Sequence, residues 1–272
     1  MKGVHQKNFL RISSLNIGRG IFKKEAFLVN TITEQNSDIF SVSEVDIEDF
    51  DEQKPFSIEG YNTYFPLQRI GSNTKRLLCF AKVGLEVKQR NDLMSSLLST
   101  VWLEIKGNNQ KVLVCVMYRE FNDLTKMGPL SIDEQVDRLK IFHLQVEQAS
   151  KEGLILVIGD MNIDIENWEN SRYYLKKVAE EYQSLLGECG LELIKFGITW
   201  SRFHKNGNFL RSSIDHALTN KPKYVNDYSK IAIDYSDHSM ISVDLNIKVP
   251  KLQNNTITSR DLRKIRSNPQ LF

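Results

Sequence analysis

The number of short apolar segments of the kind that form β-strands constrains the fold of this chain most. Ten such segments lie at residues 9–15, 39–42, 62–66, 76–82, 100–105, 111–117, 154–158, 198–202, 210–218 and 240–247. Several alternate apolar and polar residues, which is typical of strands with one covered face and antiparallel neighbours. Because only about three helices accompany these strands, the pattern predicts an α/β fold. We expect a four-layer α/β sandwich, with two mainly antiparallel β-sheets packed face to face and helices outside.

The helices are predicted from capping signals and from apolar residues at helical spacing. Ser131 and Glu134 have the spacing of a capping box, and apolar residues follow them at helical intervals. A second apolar stripe covers 175–185, and a weaker helical pattern covers 25–35.

Composition indicates one globular domain with a short appended segment. The chain has 272 residues, of which 41% are hydrophobic and 26% charged, and its net charge of +2 does not suggest a polybasic nucleic-acid arm. We expect one catalytic domain over 1–248. Residues 249–272 are largely polar, contain five basic residues and one acid, and are predicted to form a linker.

Cysteine usage and hydropathy bear on the compartment. The three cysteines are an odd number, and Cys79 and Cys115 lie inside apolar strand-like segments. This favours buried, reduced thiols over disulfides or a metal cluster. The N-terminus lacks the apolar region of a signal peptide, and no segment approaches the ~18 apolar residues of a membrane helix. We therefore expect an intracellular protein without a membrane partner.

Polar residues with catalytic potential stand at the ends of several predicted strands. They are Asn16, Glu44, Tyr118, Asp160, Asn162 and Asp215, together with Asp237 and His238 just before the last strand. Each has a structural explanation when taken alone. Asn16, Asp160 and Asp237 could form turns or caps, Glu44 opens an acidic and solvated loop, and Asp215 could pair with Arg211. A single histidine such as His238 is usually a hydrogen-bonded core residue.

Taken together, these strand ends point to phosphate-ester chemistry. Strand ends on one rim of a sandwich converge in space, so carboxylates, carboxamides, a phenol and an imidazole would meet there. Carboxylate and amide oxygens suit Mg²⁺, or Mn²⁺, better than Zn²⁺. Asp160 and Asn162 are two positions apart and would point the same way from an extended chain. Asp160 could then take a proton from water while Asn162 donates to a phosphate oxygen.

Seven short motifs of the chain together resemble those of a known superfamily. They are "LNIG", "SVSEV", "VCVMYRE", "VIGDMNID", "ITW", "SSIDHAL" and "YSDHSMISVDL", in this order over residues 9–247. They resemble the endonuclease/exonuclease/phosphatase superfamily with the DNase I-like fold. Within it the chain is most similar to the endonuclease domains of non-LTR retrotransposons, which are themselves similar to apurinic/apyrimidinic endonucleases.

The resemblance implies a role for each residue of the rim. Glu44 would be the principal metal ligand, with Asn16 nearby and Asp237 close to the metal. Asp160 would position or deprotonate the attacking water, and the resemblance leaves open whether Asp160 or His238 takes the proton. The remaining roles would be contact with the scissile phosphate by Asn162, a hydrogen bond to the phosphate from Tyr118, and orientation of His238 by Asp215.

One residue departs from the family pattern. Repair endonucleases of this superfamily typically have an acidic residue two positions after the asparagine, where this chain has Gly18. The departure puts abasic-site cleavage in doubt and leaves nicking intact.

A basic and aromatic hairpin is predicted to contact double-stranded DNA. Residues 195–211 include four basic residues and no acid, and the Asn206-Gly207 pair predicts a turn, so 198–218 would form a long hairpin. The expected DNA contacts are Thr199, Arg202, His204, Lys205 and Arg211. The basic stretch 68–90 could serve DNA binding or be an ordinary solvated surface.

The resemblance therefore implies a Mg²⁺-dependent DNA endonuclease that leaves a 3′-hydroxyl nick. A reverse transcriptase could follow the tail covalently, and the nucleus is the expected location. Two alternatives stay open at this stage. The chain could be a phosphatase or phosphodiesterase of the same fold acting on inositol phosphates or sphingomyelin, or a catalytically silent relative that only binds DNA.

Overall fold

The computed structural model describes residues 9–48, 56–67, 74–107, 110–123, 128–166, 173–203 and 207–250. Its helices are α1 (Ile21–Gln35), α2 (Ile132–Ser150) and α3 (Tyr173–Glu188). Its strands are β1 (Leu10–Asn16), β2 (Ile39–Glu48), β3 (Tyr61–Tyr64), β4 (Thr74–Lys82), β5 (Val87–Gln89), β6 (Ser99–Lys106), β7 (Lys111–Tyr118), β8 (Asn122–Asp123), β9 (Gly128–Pro129), β10 (Leu154–Asp160), β11 (Glu192–Ile194), β12 (Trp200–Phe203), β13 (Phe209–Ser212), β14 (Asp215–Thr219), β15 (Val225–Ile231) and β16 (Met240–Leu245).

Two sheets of six strands each form the centre of the fold. The first has the order β15-β16-β1-β2-β4-β3, and the second has the order β11-β14-β10-β7-β6-β5. Within each sheet one described pair is parallel, β1 with β2 and β10 with β7, and the other pairs are antiparallel. The expected mainly antiparallel sheets are therefore confirmed.

The apolar residues divide into three layers that explain the stacking. One cluster joins residues of both sheets, such as Ile12, Val114 and Leu156. A second lies between the second sheet and helices α2 and α3, and a third lies between the first sheet and α1. Burial of these faces places helices outside both sheets, which confirms the four-layer α/β sandwich.

Local signals explain the helix boundaries. Helix α2 begins at the predicted capping box, in which the Ser131 hydroxyl accepts from the Glu134 N–H and the Glu134 carboxylate accepts from the Ser131 N–H. Helix α1 ends at Asn36, whose left-handed backbone lets its N–H reach the carbonyls of Ile32 and Thr33. No described helix is both long and apolar enough to cross a membrane.

The predicted hairpin over 198–218 is shorter than expected. Strands β12 and β13 form a hairpin, but the chain then leaves it, and β14 pairs with β10 and β11 in the second sheet. The short strands β5, β8, β9 and β11 and the exposed strand β15 were not predicted. They carry little apolar alternation, so their pairing depends on neighbours in the sheet and not on their own sequence.

Two sequence expectations have simple outcomes. Cys79 and Cys115 are buried free thiols, as expected, and Cys189 is a partly buried free thiol. Residues 251–272 of the predicted tail and Asn206 of the predicted turn lie outside the described residues.

Candidate active site

The candidate site lies where strand ends from both sheets meet. Because β1 pairs in parallel with β2, and β10 with β7, the strands of each pair end at the same edge. Asp160 stands directly beside Tyr118 on one side and beside Asp215 on the other. The sheet topology therefore brings polar residues that are far apart in sequence to one rim.

Asn16 links the two sheets at this rim. Its side-chain amide donates to Asp160 Oδ2 at 2.9 Å and to Glu44 Oε1 at 3.1 Å. Its Oδ1 accepts from the Gly18 N–H at 2.9 Å, which is the turn contact expected from sequence. Asn16 is 1% exposed, so this bridge is buried.

Glu44 reaches the site because strand β2 bulges. The pairing of β2 with β4 shifts register between Ser43 and Ile47, and Glu44 has a φ of 55°, in the left-handed region. The Tyr118 hydroxyl donates to Glu44 Oε1 at 3.0 Å, so one carboxylate oxygen accepts from both Asn16 and Tyr118. Glu44 is therefore a fixed part of the site and not a residue of a solvated loop.

The position of Asp160 depends on the glycine that precedes it, Gly159. A Cβ on Gly159 would lie 1.9 Å from the carbonyl oxygen of Met117, so β10 can approach β7 this closely only with glycine here. Asp160 is 1% exposed, and its second oxygen, Oδ1, accepts from the Asn162 N–H at 2.8 Å. Asp160 therefore forms the Asx-turn considered from sequence and also contributes a carboxylate to the site.

Asn162 is held in a left-handed conformation, with a φ of 49°, by Arg119. The Arg119 guanidinium donates to the carbonyl oxygens of Met161 and Asn162 and to Gln135 Oε1. The Asn162 side-chain amide donates back to the Arg119 carbonyl at 2.9 Å. Arg119 thus fixes the turn that carries Asp160 and Asn162. No sequence signal distinguished it from the other basic residues.

Asp215 and His238 form a buried pair. Their Oδ2 and Nδ1 atoms are 2.9 Å apart, and the residues are 4% and 6% exposed. Since an ionised carboxylate only accepts, Nδ1 carries the hydrogen, and Nε2 is the ring nitrogen left for other partners. Thr199 supports the pair, because its Oγ1 accepts from the N–H groups of Ile214 and Asp215.

Asp237 lies beside this pair and is anchored by a tryptophan. Asp237 Oδ2 accepts from Trp200 Nε1 at 3.0 Å, which ties the base of the β12–β13 hairpin to the site. The Ser236 hydroxyl donates to the Asn16 carbonyl and accepts from the His238 N–H. The Ser-Asp-His segment is therefore bonded to β1 on one side and to β12 on the other.

The electrostatics of the buried groups are unbalanced. Asp160, Asp215 and His238 each offer a ligand atom within 4.8 Å of the others. Burial raises the pKa of Asp160 to about 7, and the charge of Asp215 acts in the same direction. Burial lowers the pKa of His238, but Asp215 and Asp160 outweigh it and raise this pKa to about 9. A cationic His238 thus stands against two carboxylates.

The site opens into a cleft of about 960 Å³. Its lining includes Glu44, Tyr118, Asn162, Asp237 and His238, so these five predicted residues share one cavity, while the buried Asn16, Asp160 and Asp215 are not among its lining residues. Basic and aromatic side chains line the same cleft, namely Arg19, Lys24, Arg76, Arg202, Trp200 and Phe121. A cleft with carboxylates at its floor and cations at its walls suits a polyanionic substrate.

The predicted DNA contacts divide into three groups. Arg202 lines the cleft, and Arg211 pairs across the hairpin with Ser201. Thr199 was expected to contact DNA, but it is only 1% exposed. Its hydroxyl oxygen accepts from the Asp215 N–H, so Thr199 supports Asp215 inside the fold. His204 and Lys205 lie outside the described residues.

The donor set of the cleft fits a divalent metal with oxygen ligands. Glu44 and Asp237 both line the cleft, and both act on the charge of Lys24. Burial lowers the pKa of Lys24, while these two carboxylates act to raise it. These two residues offer the carboxylate oxygens that Mg²⁺ and Mn²⁺ prefer, and the Asn16 side-chain N–H donates to Glu44 from behind.

Comparison with other proteins was made by sequence and by structure. Neither the protein-family models nor the curated proteins match the chain. Solved structures do match. The endonuclease domain of TRAS1, a telomere-specific non-LTR retrotransposon, has a TM-score of 0.64 at 16% identity, with 87% of this chain and 98% of that chain covered.

Two further matches are an AP endonuclease and the catalytic domain of APE2. The AP endonuclease LMAP from Leishmania major has a TM-score of 0.68 at 11% identity, with 87% of each chain covered. The catalytic domain of APE2 from Xenopus laevis has a TM-score of 0.64 at 16% identity, with 89% of this chain and 93% of that chain covered. At these identities the likeness establishes the fold, and the chain has the DNase I-like fold that its motifs predict.

Proposed function

We propose that the protein is a DNA endonuclease that depends on Mg²⁺, or on Mn²⁺, and that cuts one strand of a duplex to leave a 3′-hydroxyl. The observation that carries the proposal is the buried Asn16 bridge, which joins Glu44 of one sheet to Asp160 of the other, with Glu44 itself lining a cleft that is also lined with cations. The likeness to endonuclease domains supports the same reaction class.

The buried residues divide the chemistry between them. His238 donates its Nδ1 hydrogen to Asp215, and because its pKa is raised to about 9 the ring also carries a hydrogen on Nε2 near neutral pH, which can donate to a phosphoryl oxygen. Asp160 is a carboxylate fixed by Asn16 and by the Asn162 N–H, and in this proposal it accepts the proton of the attacking water. Asn162 and Tyr118 line the same cleft, and in this proposal they donate to the phosphate, Asn162 with the amide hydrogen that the Arg119 carbonyl does not accept and Tyr118 by turning its hydroxyl away from Glu44.

Glu44 and Asp237, with Asn16 behind Glu44, would hold the divalent metal. When bound, the metal supplies neutralisation of charge on the phosphoryl oxygens. The protein residues keep their own tasks, which are to orient the water, to hold the phosphate and to place the imidazole.

The likeness to the TRAS1 domain supports a more specific proposal, that the chain cleaves target DNA for a non-LTR retrotransposon. In that case a reverse transcriptase would follow the tail in the full-length product, and the protein would act in the nucleus. Sequencing the reading frame downstream of residue 272 tests the first point, and microscopy of a tagged full-length protein tests the second.

A plasmid assay tests the reaction itself. Supercoiled DNA is incubated with the wild type in Mg²⁺, Mn²⁺ or EDTA, and the nicked ends are tested for extension by a polymerase, which needs a 3′-hydroxyl. Glu44→Ala should abolish nicking, since Glu44 is bonded to both Asn16 and Tyr118. Glu34→Ala is the matched control, because Glu34 is an exposed acid near the far end of α1.

The outcomes separate clearly. Nicking by the wild type and by Glu34→Ala with a divalent metal, and none by Glu44→Ala, supports the proposal. A folded wild type that fails to nick DNA both in Mg²⁺ and in Mn²⁺ overturns the proposal. Equal nicking by Glu44→Ala removes Glu44 from the site.

A further inference from the structure

A buried arginine that the proposed reaction does not yet use stands next to the metal-binding face. Arg76 lies on β4, opposite the bulge of β2 that carries Glu44 and Asp46. Its side chain is only 4% exposed, yet it lines the cleft. A guanidinium is rarely buried so deeply unless its charge is compensated.

Three contacts fix the guanidinium of Arg76. Its Nε donates to Asp46 Oδ1 at 2.8 Å, and its central carbon lies 4.8 Å from the centre of the Tyr118 ring. Its Nη2 is 3.9 Å from Glu44 Oε2, which is too long for a hydrogen bond. Among the described residues, the hydrogen bond to Asp46 therefore uses the Nε atom of Arg76. The terminal nitrogens of the guanidinium lie beside Glu44 and Tyr118.

The two acids near Arg76, Asp46 and Glu44, differ in the cations that they contact. Asp46 also accepts from Arg19, whose side chain is 70% exposed, at 3.2 Å. Asp46 thus forms ion pairs with two cations, while the ion pair between Glu44 and Arg76 is longer, at 3.9 Å, and Glu44 also acts on the charge of Lys24. If Arg76 only stabilised the fold, its ion pair with Asp46 would be sufficient. The contact of its guanidinium with the Tyr118 ring in the cleft would then have no role.

We propose that Arg76 is a catalytic residue of this cleft, whose guanidinium binds a phosphate oxygen of the substrate and, in the absence of substrate, weakens the binding of a divalent metal at Glu44. The proposal rests on the proposed function, since it names a phosphodiester as the ligand. The fork geometry of arginine suits phosphate, and its terminal nitrogens lie beside the two residues, Glu44 and Tyr118, that would meet that phosphate.

The two parts of the proposal have one electrostatic cause. A cation beside Glu44 repels a divalent metal, so the site without DNA binds metal less tightly than its oxygen ligands would allow. A phosphodiester brings negative charge that attracts both the guanidinium and the metal. Metal and DNA should therefore strengthen each other's binding, and by linkage the coupling must be reciprocal.

The test measures metal affinity separately from activity. Calorimetric titration with Mn²⁺ in the absence of DNA is performed on the wild type, Arg76→Met, Arg76→Lys and Arg11→Met. Arg11 is the matched control, because it forms a bidentate pair with Asp244 at the opposite end of β1, roughly 17 Å from Asn16 along the strand. Thermal melts verify that each variant is folded.

The expected results differ between the variants. Arg76→Met should bind Mn²⁺ about tenfold more tightly than the wild type, because a repelling charge is removed. Its kcat/KM for plasmid nicking should fall about 100-fold, which is typical when one donor that stabilises developing charge is lost. Arg76→Lys should keep the wild-type Mn²⁺ affinity, since the charge remains, and lose part of kcat because the fork is lost. Arg11→Met should leave both quantities unchanged.

If Arg76 served the fold alone, its removal from a folded variant would neither tighten Mn²⁺ binding nor slow nicking. If folded Arg76→Met binds Mn²⁺ no more tightly than the wild type, or nicks as fast, the proposal is overturned. Should Arg76→Met fail to fold, Arg76→Lys decides, and an unchanged kcat would overturn the proposal. A wild type that neither binds Mn²⁺ nor nicks DNA would instead overturn the proposed function.

Discussion

Two clusters of charged residues in this molecule use the same residue types in opposite ways. The edge cluster comprises Arg90, Asp92, Glu104, Lys111 and Glu152, near the β5 side of the second sheet. Its Arg90 donates to three carboxylates at distances of 2.6 to 2.8 Å, and Lys111 donates to Glu152 at 3.1 Å. Each acid of the edge cluster therefore faces at least one cation.

The buried trio of the cleft, Asp160, Asp215 and His238, is not balanced in this way. Its two carboxylates have one imidazole within ligand distance, and burial raises the pKa of Asp160 to about 7 although the charge of Asp160 also acts on the buried Arg119. In the edge cluster, hydrogen bonding to Arg90 lowers the pKa of Glu152 to about 2. The edge cluster stabilises the fold, whereas the trio keeps charges that the fold alone does not need, as active sites commonly do.

The largest expected effect is on Asp160. Asp160→Asn should lower kcat for nicking at least about 1000-fold, because the proposed proton acceptor is lost. It should change the melting temperature by only a few degrees at pH 8 in EDTA, since the removal of a buried charge beside Asp215 is offset by an amide nitrogen that faces the donor Asn16 or the Asn162 N–H. Activity and melting are measured on the same preparation. A marked loss of stability would mean that Asp160 behaves like an acid of the edge cluster.

His238→Gln is expected to lower both the activity and the stability of the protein. The imidazole is the cation that the two carboxylates share, so its loss should lower both activity and stability. We expect kcat to fall about 100- to 1000-fold and the melting temperature to fall by a few degrees at pH 7. Single-turnover nicking and calorimetric melts measure these changes. Unchanged nicking by a folded His238→Gln would remove His238 from the reaction.

Glu152→Gln should affect stability alone. The folded pKa of Glu152, about 2, lies below its ordinary value of 4.5, so its contribution is complete above pH 4.5 and lost as the pH falls toward 2. We expect a cost of about 1 kcal/mol in the free energy of unfolding at pH 7, as for a partly exposed ion-pair network. Urea denaturation at pH 7, 4.5 and 3 should reveal a difference from the wild type that narrows with acidification.

Nicking provides the control for this variant. Glu152→Gln should keep the wild-type kcat/KM at pH 7, because the edge cluster supports the sheet and does not touch the cleft. A stability difference that grows below pH 4.5, or a loss of nicking with wild-type stability, would contradict the contrast between the two clusters.

The sequence predicted the rim of the site because strand ends are local signals. Asn16, Asp160 and Asn162 each follow an apolar segment, and strand polarity alone brings such ends together. Arg76 and Arg119 could not be recognised, because their partners lie across the sheets or on another element. Glu44 looked like part of a solvated loop, since the bulge that turns it inward depends on its pairing with β4.

The β12–β13 hairpin offers the smallest expected effect, one on site choice without a change in overall activity. Phe203 and Phe209 face each other across it, with ring centres 4.7 Å apart, and are 76% and 51% exposed. Exposed aromatic pairs of this kind have little value for the fold of a monomer and suit contact with a ligand. The base of the hairpin is tied to the cleft through Trp200 and Asp237.

Exchange of residues 203–209 for a different hairpin sequence should therefore change the preferred cut sites and preserve total nicking, because Phe203 and Phe209 are not among the residues that line the cleft. Sequencing of nicked ends from a plasmid library measures both quantities. Leu144→Ala is a matched control, since Leu144 is 65% exposed on α2, outside the described cleft. An unchanged site spectrum after the exchange would show that the hairpin does not select the target. A large loss of nicking with an intact fold would show that hairpin and cleft act as one unit.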